Sequence, residues 1–99
     1  MSIHTDIKSK IASAMKARDE VRLLVLRGIA AAFTNKLVML KKSTTETLGD
    51  EDALAVLKKQ AKQRRDSIEQ FEKGGRKDLA DKERAELAIV EELTKNLTI

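Results

Sequence analysis

Residues 50–97 read DEDALAVLKKQAKQRRDSIEQFEKGGRKDLADKERAELAIVEELTKNL, and their spacing decides the fold. Leu54, Leu57, Ala61, Ile68 and Phe71 recur at steps of three, four or seven, which keeps side chains on one helical face. Gly74 and Gly75 break the run, and a glycine in the left-handed region closes a helix without steric cost. The stretch therefore predicts two helices folded back on each other, one from Asp50 to Lys73 and one from Arg76 or Lys77 to near Leu97. The second turns Leu79, Leu87, Val90, Leu93 and Leu97 inward. Arg64 occupies a position where the first series calls for an apolar residue. Folding about the glycines sets it level with Ala85, so Arg64 with Glu83 or Glu86 is a candidate structural ion pair. Desolvation consumes most of the Coulomb gain of such a pair, which makes register its expected contribution. On that reading Arg64→Met folds at least as stably as the parent, and Glu86→Leu is clearly destabilised if Glu86 is the partner.

Upstream, Ile3, Ile7, Ile11 and Met15 form a stripe of four-residue steps, predicting an amphipathic helix from Ser2 or Thr5 to about Ala17. Lys16 and Arg18 suit the end of that helix, whereas Asp19 and Glu20 suit the start of the next. The second helix, Glu20 to Lys42, carries two apolar faces, which predicts burial on most sides. Gly28 within it costs roughly 1 kcal/mol of helix propensity relative to Ala, which a close neighbouring helix would explain. Arg22 and Arg27 interrupt the apolar run and are read as snorkelling to water, with a paired internal charge as the alternative. Ser43 to Gly49 is the longest loop. The sole histidine, His4, has no second ligand at helical spacing and is read as a surface residue without catalytic or metal role.

Composition agrees with an all-α, up-and-down bundle of four helices, with a Gly-Gly hairpin between the third and fourth. There is no Pro, Gly numbers 4, and charged residues make up 36% of the 99, a balance that favours solvated helices over strands. A chain of this size is expected to be one domain, residues 1–99. With no Cys, disulfides and thiolate metal sites are excluded, and a cytoplasmic location is expected. No apolar run approaches the roughly 20 residues of a membrane span.

Nucleophilic catalysis needs a Ser, Cys or Thr beside a base, but Cys is absent and the only His is terminal, and the Glu-x-x-His spacing of a di-metal bundle does not occur. No cofactor is expected. Glu83, Glu86, Glu91 and Glu92 read as solvated helix surface. The net charge of +4 permits contact with nucleic acid, while only two aromatics, Phe33 and Phe71, leave little for bases to stack on. Lys58, Lys62 and Arg65, with Lys59 alongside, align on the third helix; Lys73, Arg76 and Lys77 cluster at its end. These seven are the candidate phosphate contacts. The alternative is a lysine-rich solvated face offset by Asp66, Glu69 and Glu72.

The run Ala53-Leu54-Ala55-Val56-Leu57-Lys58-Lys59-Gln60, then Lys62 through Leu79 with Gly74-Gly75 at its turn, then Lys82-Glu83 and Ala85-Glu86-Leu87-Ala88-Ile89, closely resembles the YqeY-like proteins of the GatB/YqeY family. Ala14-Met15-Lys16-Ala17-Arg18-Asp19 and Val21-Arg22-Leu23 with Leu26-Arg27 are similar to that family's opening. The resemblance implies an N-terminal helical domain related to the tail of the B subunit of tRNA-dependent amidotransferases, a tail that engages tRNA. The family label of glutamine-dependent carbon-nitrogen ligase implies catalysis that belongs to other domains of the larger enzyme. Where the family continues through a Tyr-Leu-Pro segment into a second helical domain, this chain reads Leu93-Thr94-Lys95-Asn96-Leu97-Thr98-Ile99, so that domain is expected to be absent. The expectation is a non-catalytic module accompanying tRNA or an aminoacyl-tRNA amidotransferase-type complex, without membrane contact. A protein-interaction or self-associating bundle without RNA is the alternative, through exposed apolar residues of the first or fourth helix, and ligase activity is the third reading.

Overall fold

Ser2 opens the first helix of the computed structural model, which describes residues 2–97. Its backbone is extended (φ −77°, ψ 160°) and its side chain accepts from the Thr5 N–H at 3.1 Å, satisfying one of the free donors at a helix start. Four helices follow in order: α1 Ile3–Ala17, α2 Glu20–Met39, α3 Asp50–Lys73 and α4 Lys77–Leu97. No strand occurs among the described residues, as an all-α bundle requires. Residues 98 and 99, the end of the segment that departs from the family pattern, lie outside the described residues.

Three of the four helices end in the same way. After α3, the Gly75 N–H bonds to Glu72 O at 3.1 Å and the Arg76 N–H to Phe71 O at 2.8 Å, with Gly75 left-handed at φ 72°. This is the Schellman arrangement, which caps orphan carbonyls. After α1 the left-handed position is held by Arg18 (φ 55°), with Arg18 N–H on Met15 O at 3.2 Å and Asp19 N–H on Ala14 O at 3.1 Å. Asp19 then caps α2, accepting from the Arg22 N–H at 3.1 Å. After α2 it is Lys41 (φ 59°), with bonds to Val38 O and, through Lys42, to Leu37 O, both 2.9 Å. This cap stops α2 at Met39 rather than at Lys42. Neither Arg18 nor Lys41 is a residue type that signals the left-handed region.

The chain divides into two compact units, one up to Leu57 and one from Lys58 onward. In the first, α1 packs on α2, and the core includes Ile7, Val25, Leu26, Ile29, Phe33, Leu37 and Leu48. The buried face of α1 is His4, Ile7 and Ala14; of the expected stripe Ile7 is buried, Ile3 and Ile11 are half-buried, and Met15 is 54% exposed. On α2, too, burial is one-sided: Val21 and Leu24 are exposed, and a Cβ at Gly28 would meet nothing within 4 Å. Gly28 therefore admits no neighbouring helix here, contrary to its expected role.

His4 is a buried residue, not a surface one. It is 2% exposed, its Nδ1 accepts from the Leu48 N–H at 2.8 Å, and its ring meets Phe33 edge-on at 5.1 Å. The single-ligand pattern excluded a metal role but carried no trace of a backbone partner 44 positions away. Burial first, and the positive charge of Lys8 second, lower its pKa. Beside it, Asp50 Oδ1 accepts from the Ile3 N–H at 2.9 Å. One carboxylate thus serves the positive ends of both α1 and α3.

In the second unit, Ala61, Ala80, Leu87, Val90 and Leu93 are buried, and Ile68, Phe71, Leu79 and Leu97 are half-buried. Two of the five buried apolar residues are alanines, and Glu86 is buried among them.

Candidate functional site

All seven candidate cations of α3 and its end are exposed, and carboxylates already hold three of them. Lys62 Nζ lies 3.0 Å from Asp66 Oδ2, and Lys73 Nζ lies 3.0 Å from Glu69 Oε1. Both are one helical turn apart, the spacing that brings side chains together on a helix surface. Arg76 forks onto Asp78, Nε to Oδ1 and Nη2 to Oδ2, each at 3.2 Å. This hydrogen-bonded fork lowers the Asp78 pKa and raises that of Arg76.

Lys58, Lys59, Arg65 and Lys77 have no ion-pair partner among the described residues. Lys58 and Arg65, seven residues apart in sequence, line one groove of about 510 Å³ with Ala61 between them. Its other wall is α4, through Glu91, Thr94 and Lys95. Three cations thus face one carboxylate around a floor of small side chains. Thr94 is held in place by donating its hydroxyl to Val90 O at 2.8 Å. Lys77 lines a separate depression of about 340 Å³ with Glu72, Gly75 and Arg84. Arg84 there is committed to Glu72 and, at 2.8 Å, to Asp81. Lys59, Lys62, Lys73 and Arg76 line neither.

Lys95 and Thr94 lie outside the basic pattern of α3 and its end, because they come from the opposite wall, on α4. The signal was present in the i, i+4 placement of Glu91 and Lys95 on the opposing helix. Among the described residues, no three His, Cys, Asp or Glu converge as metal ligands. No helix among them is long and apolar enough to cross a membrane.

Residues 4–97 match the family model described as Yqey-like protein. The chain belongs to the YqeY-like family. Its relatives include an uncharacterized protein of Schizosaccharomyces pombe, 36% identical over 81 residues that cover 82% of this chain and 63% of the relative. The mitochondrial protein named altered inheritance of mitochondria protein 41 is 31% identical in Lachancea thermotolerans and 34% identical in Kluyveromyces lactis, over 85 residues in each case. That match takes in 86% of this chain and 44% of each relative. The YqeY-like chain spans about half the length of the curated relatives it matches.

These names overturn the expectation of a cytoplasmic protein, since the curated relatives point to mitochondria. A chain free of cysteine fits a reducing environment, and that property does not distinguish one reducing compartment from another.

The YqeY-like helices α3 and α4 also carry the ionic cluster at Arg64. Its Nη1 lies 3.3 Å from Glu83 Oε2 and 3.4 Å from Glu86 Oε2. Only the Glu83 contact has hydrogen-bond geometry. Glu86 Oε2 is buried and accepts no hydrogen bond, so the Arg64 charge offsets its desolvation through space alone. None of its three residues lines the groove of Lys58 and Arg65.

Proposed function

We propose that this YqeY-like chain is a non-catalytic helical module that binds tRNA-type RNA through its phosphates, in the mitochondrial setting named for its relatives. An aminoacyl-tRNA amidotransferase-type complex is the assembly such an RNA would bring it to. The observation that carries the reading is the pair Lys58 and Arg65. Both are exposed, have no ion-pair partner among the described residues, and line one groove, as cations that contact phosphates would. Binding of this kind positions a backbone without reading bases. The aromatics support that limit, because Phe33 is buried and Phe71 half-buried, leaving no exposed ring for stacking. The one histidine is occupied by Leu48, which leaves no imidazole for acid-base work.

The test is anisotropy of labelled bulk tRNA at two salt concentrations, with the parent and with Lys58→Glu/Arg65→Glu. Affinity should fall with salt in the parent, and the variant should bind more weakly with a flatter salt slope. Equal binding by both proteins at both salts would remove the groove from consideration. Glutamine-dependent ammonia release is expected to stay at background.

A further inference from the structure

We propose that α2 is a self-association surface on which a second copy of this chain docks antiparallel. Val21, Leu24, Gly28, Ala31, Asn35 and Val38 advance along α2 in steps of three and four, and every one is exposed. Val21 is 49% exposed, and Leu24 and Val38 are each 57% exposed. Steps of three and four are the spacing of a helix-to-helix seam. The seam is distinct from the core face, which is Val25, Leu26, Ile29, Phe33 and Leu37. Gly28 has open space where its side chain would be, so the chain's own packing does not require it, although it weakens the helix. With Ala31 one turn on, it makes a low saddle at the middle of the seam, where two helices cross most closely.

The pattern is symmetric about its midpoint. An antiparallel two-fold pairing places Val21 on Val38 of the second copy, Gly28 on its Ala31, and Leu24 on the stem of its Asn35. Charge selects this orientation. Glu20 at the start of α2 and Lys41 just past its end are both exposed, and neither has an ion-pair partner among the described residues. Antiparallel docking sets Glu20 of each copy beside Lys41 of the other, twice per dimer, and aligns opposite ends of the helix dipoles. Parallel docking stacks like on like. The residues are different from those of the RNA groove, so the two readings stand or fall separately.

Sedimentation equilibrium of the full chain should give a dimer mass at raised concentration. Leu24→Lys, at an exposed position, should remain folded by circular dichroism and sediment as a monomer. Glu20→Lys should weaken the dimer about tenfold or more, and Glu20→Lys with Lys41→Glu should restore it. The chain has no cysteine, so a mixture of Val21→Cys and Val38→Cys chains reports orientation directly. Mixed disulfides should dominate. A parent that stays monomeric to its solubility limit, a Leu24→Lys chain that still dimerises, or self-paired Val21→Cys disulfides would each overturn the proposal.

Discussion

Arg64 Nη1 stands 3.4 Å from Glu86 Oε2, an oxygen that is buried and accepts no hydrogen bond. Arg64 also reaches Glu83 at 3.3 Å, so the two members of the pair are not equally replaceable. Removing Arg64 strands a buried carboxylate. Removing Glu86 leaves Arg64 with Glu83. Arg64→Met is therefore expected to lose about 3–5 kcal/mol in urea unfolding, with Glu86→Leu within about 1 kcal/mol of the parent or above it. This ordering is the reverse of the one the sequence alone suggests, because sequence could not show that Arg64 has two acidic neighbours. Equal destabilisation by both changes would count against it.

Arg18 and Lys41 sit at φ 55° and 59°, a region that costs an L residue about 1–2 kcal/mol. Glycine relieves that strain while adding freedom to the unfolded chain. Arg18→Gly should raise the urea midpoint by an amount equivalent to about 0.5–1 kcal/mol. Gly75→Ala, at φ 72°, should lower it by about 1 kcal/mol. An Arg18→Gly chain less stable than the parent would mean that the arginine side chain contributes more than its backbone costs.

His4 links stability to pH. Its pKa is lowered by burial and by Lys8, so the unfolded chain takes up the proton before the folded one. Its contribution is fully present above the unfolded value of about 6.5 and is lost as pH falls through the window below it. Urea midpoints of the parent should drop on acidification from pH 7. His4→Leu should flatten that drop while costing about 1–3 kcal/mol at pH 7, because the buried Leu48 N–H loses its acceptor. A parent and variant with parallel pH profiles would exclude His4 as the source.

The groove makes a graded prediction about salt. Removing one cation that touches a phosphate should reduce the slope of log affinity against log salt by about 0.7–0.9. Lys58→Gln and Arg65→Gln should each have about that effect. Lys62→Gln and Lys73→Gln should change the slope less, since Asp66 and Glu69 already hold those ammonium groups. A uniform effect of all four would indicate a diffuse field rather than a groove.

Helix boundaries were legible where charge or glycine marked them: Asp19, Asp50 and the Gly74-Gly75 pair all stand at ends of helices. The end of α2 was not, because a lysine occupies the left-handed position and apolar residues continue up to it. Periodicity found the inward side of α4 through Leu87, Val90 and Leu93. On α1 it was right at Ile7 and in part at Ile3 and Ile11, but it missed His4 and Ala14 and took in Met15, because tertiary packing rotated the buried face. The candidate cations could be named from sequence but not divided into held and free, which depends on which side chains find a carboxylate within reach.

The contacts of Ile3 with Asp50 and of His4 with Leu48 join positions 47 and 44 apart in the chain. During synthesis, the first turn of α1 emerges long before either partner does. These two contacts therefore form only after Leu48 and Asp50 have cleared the ribosome. Until then the chain's opening segment remains available to whatever cellular factor handles nascent chains.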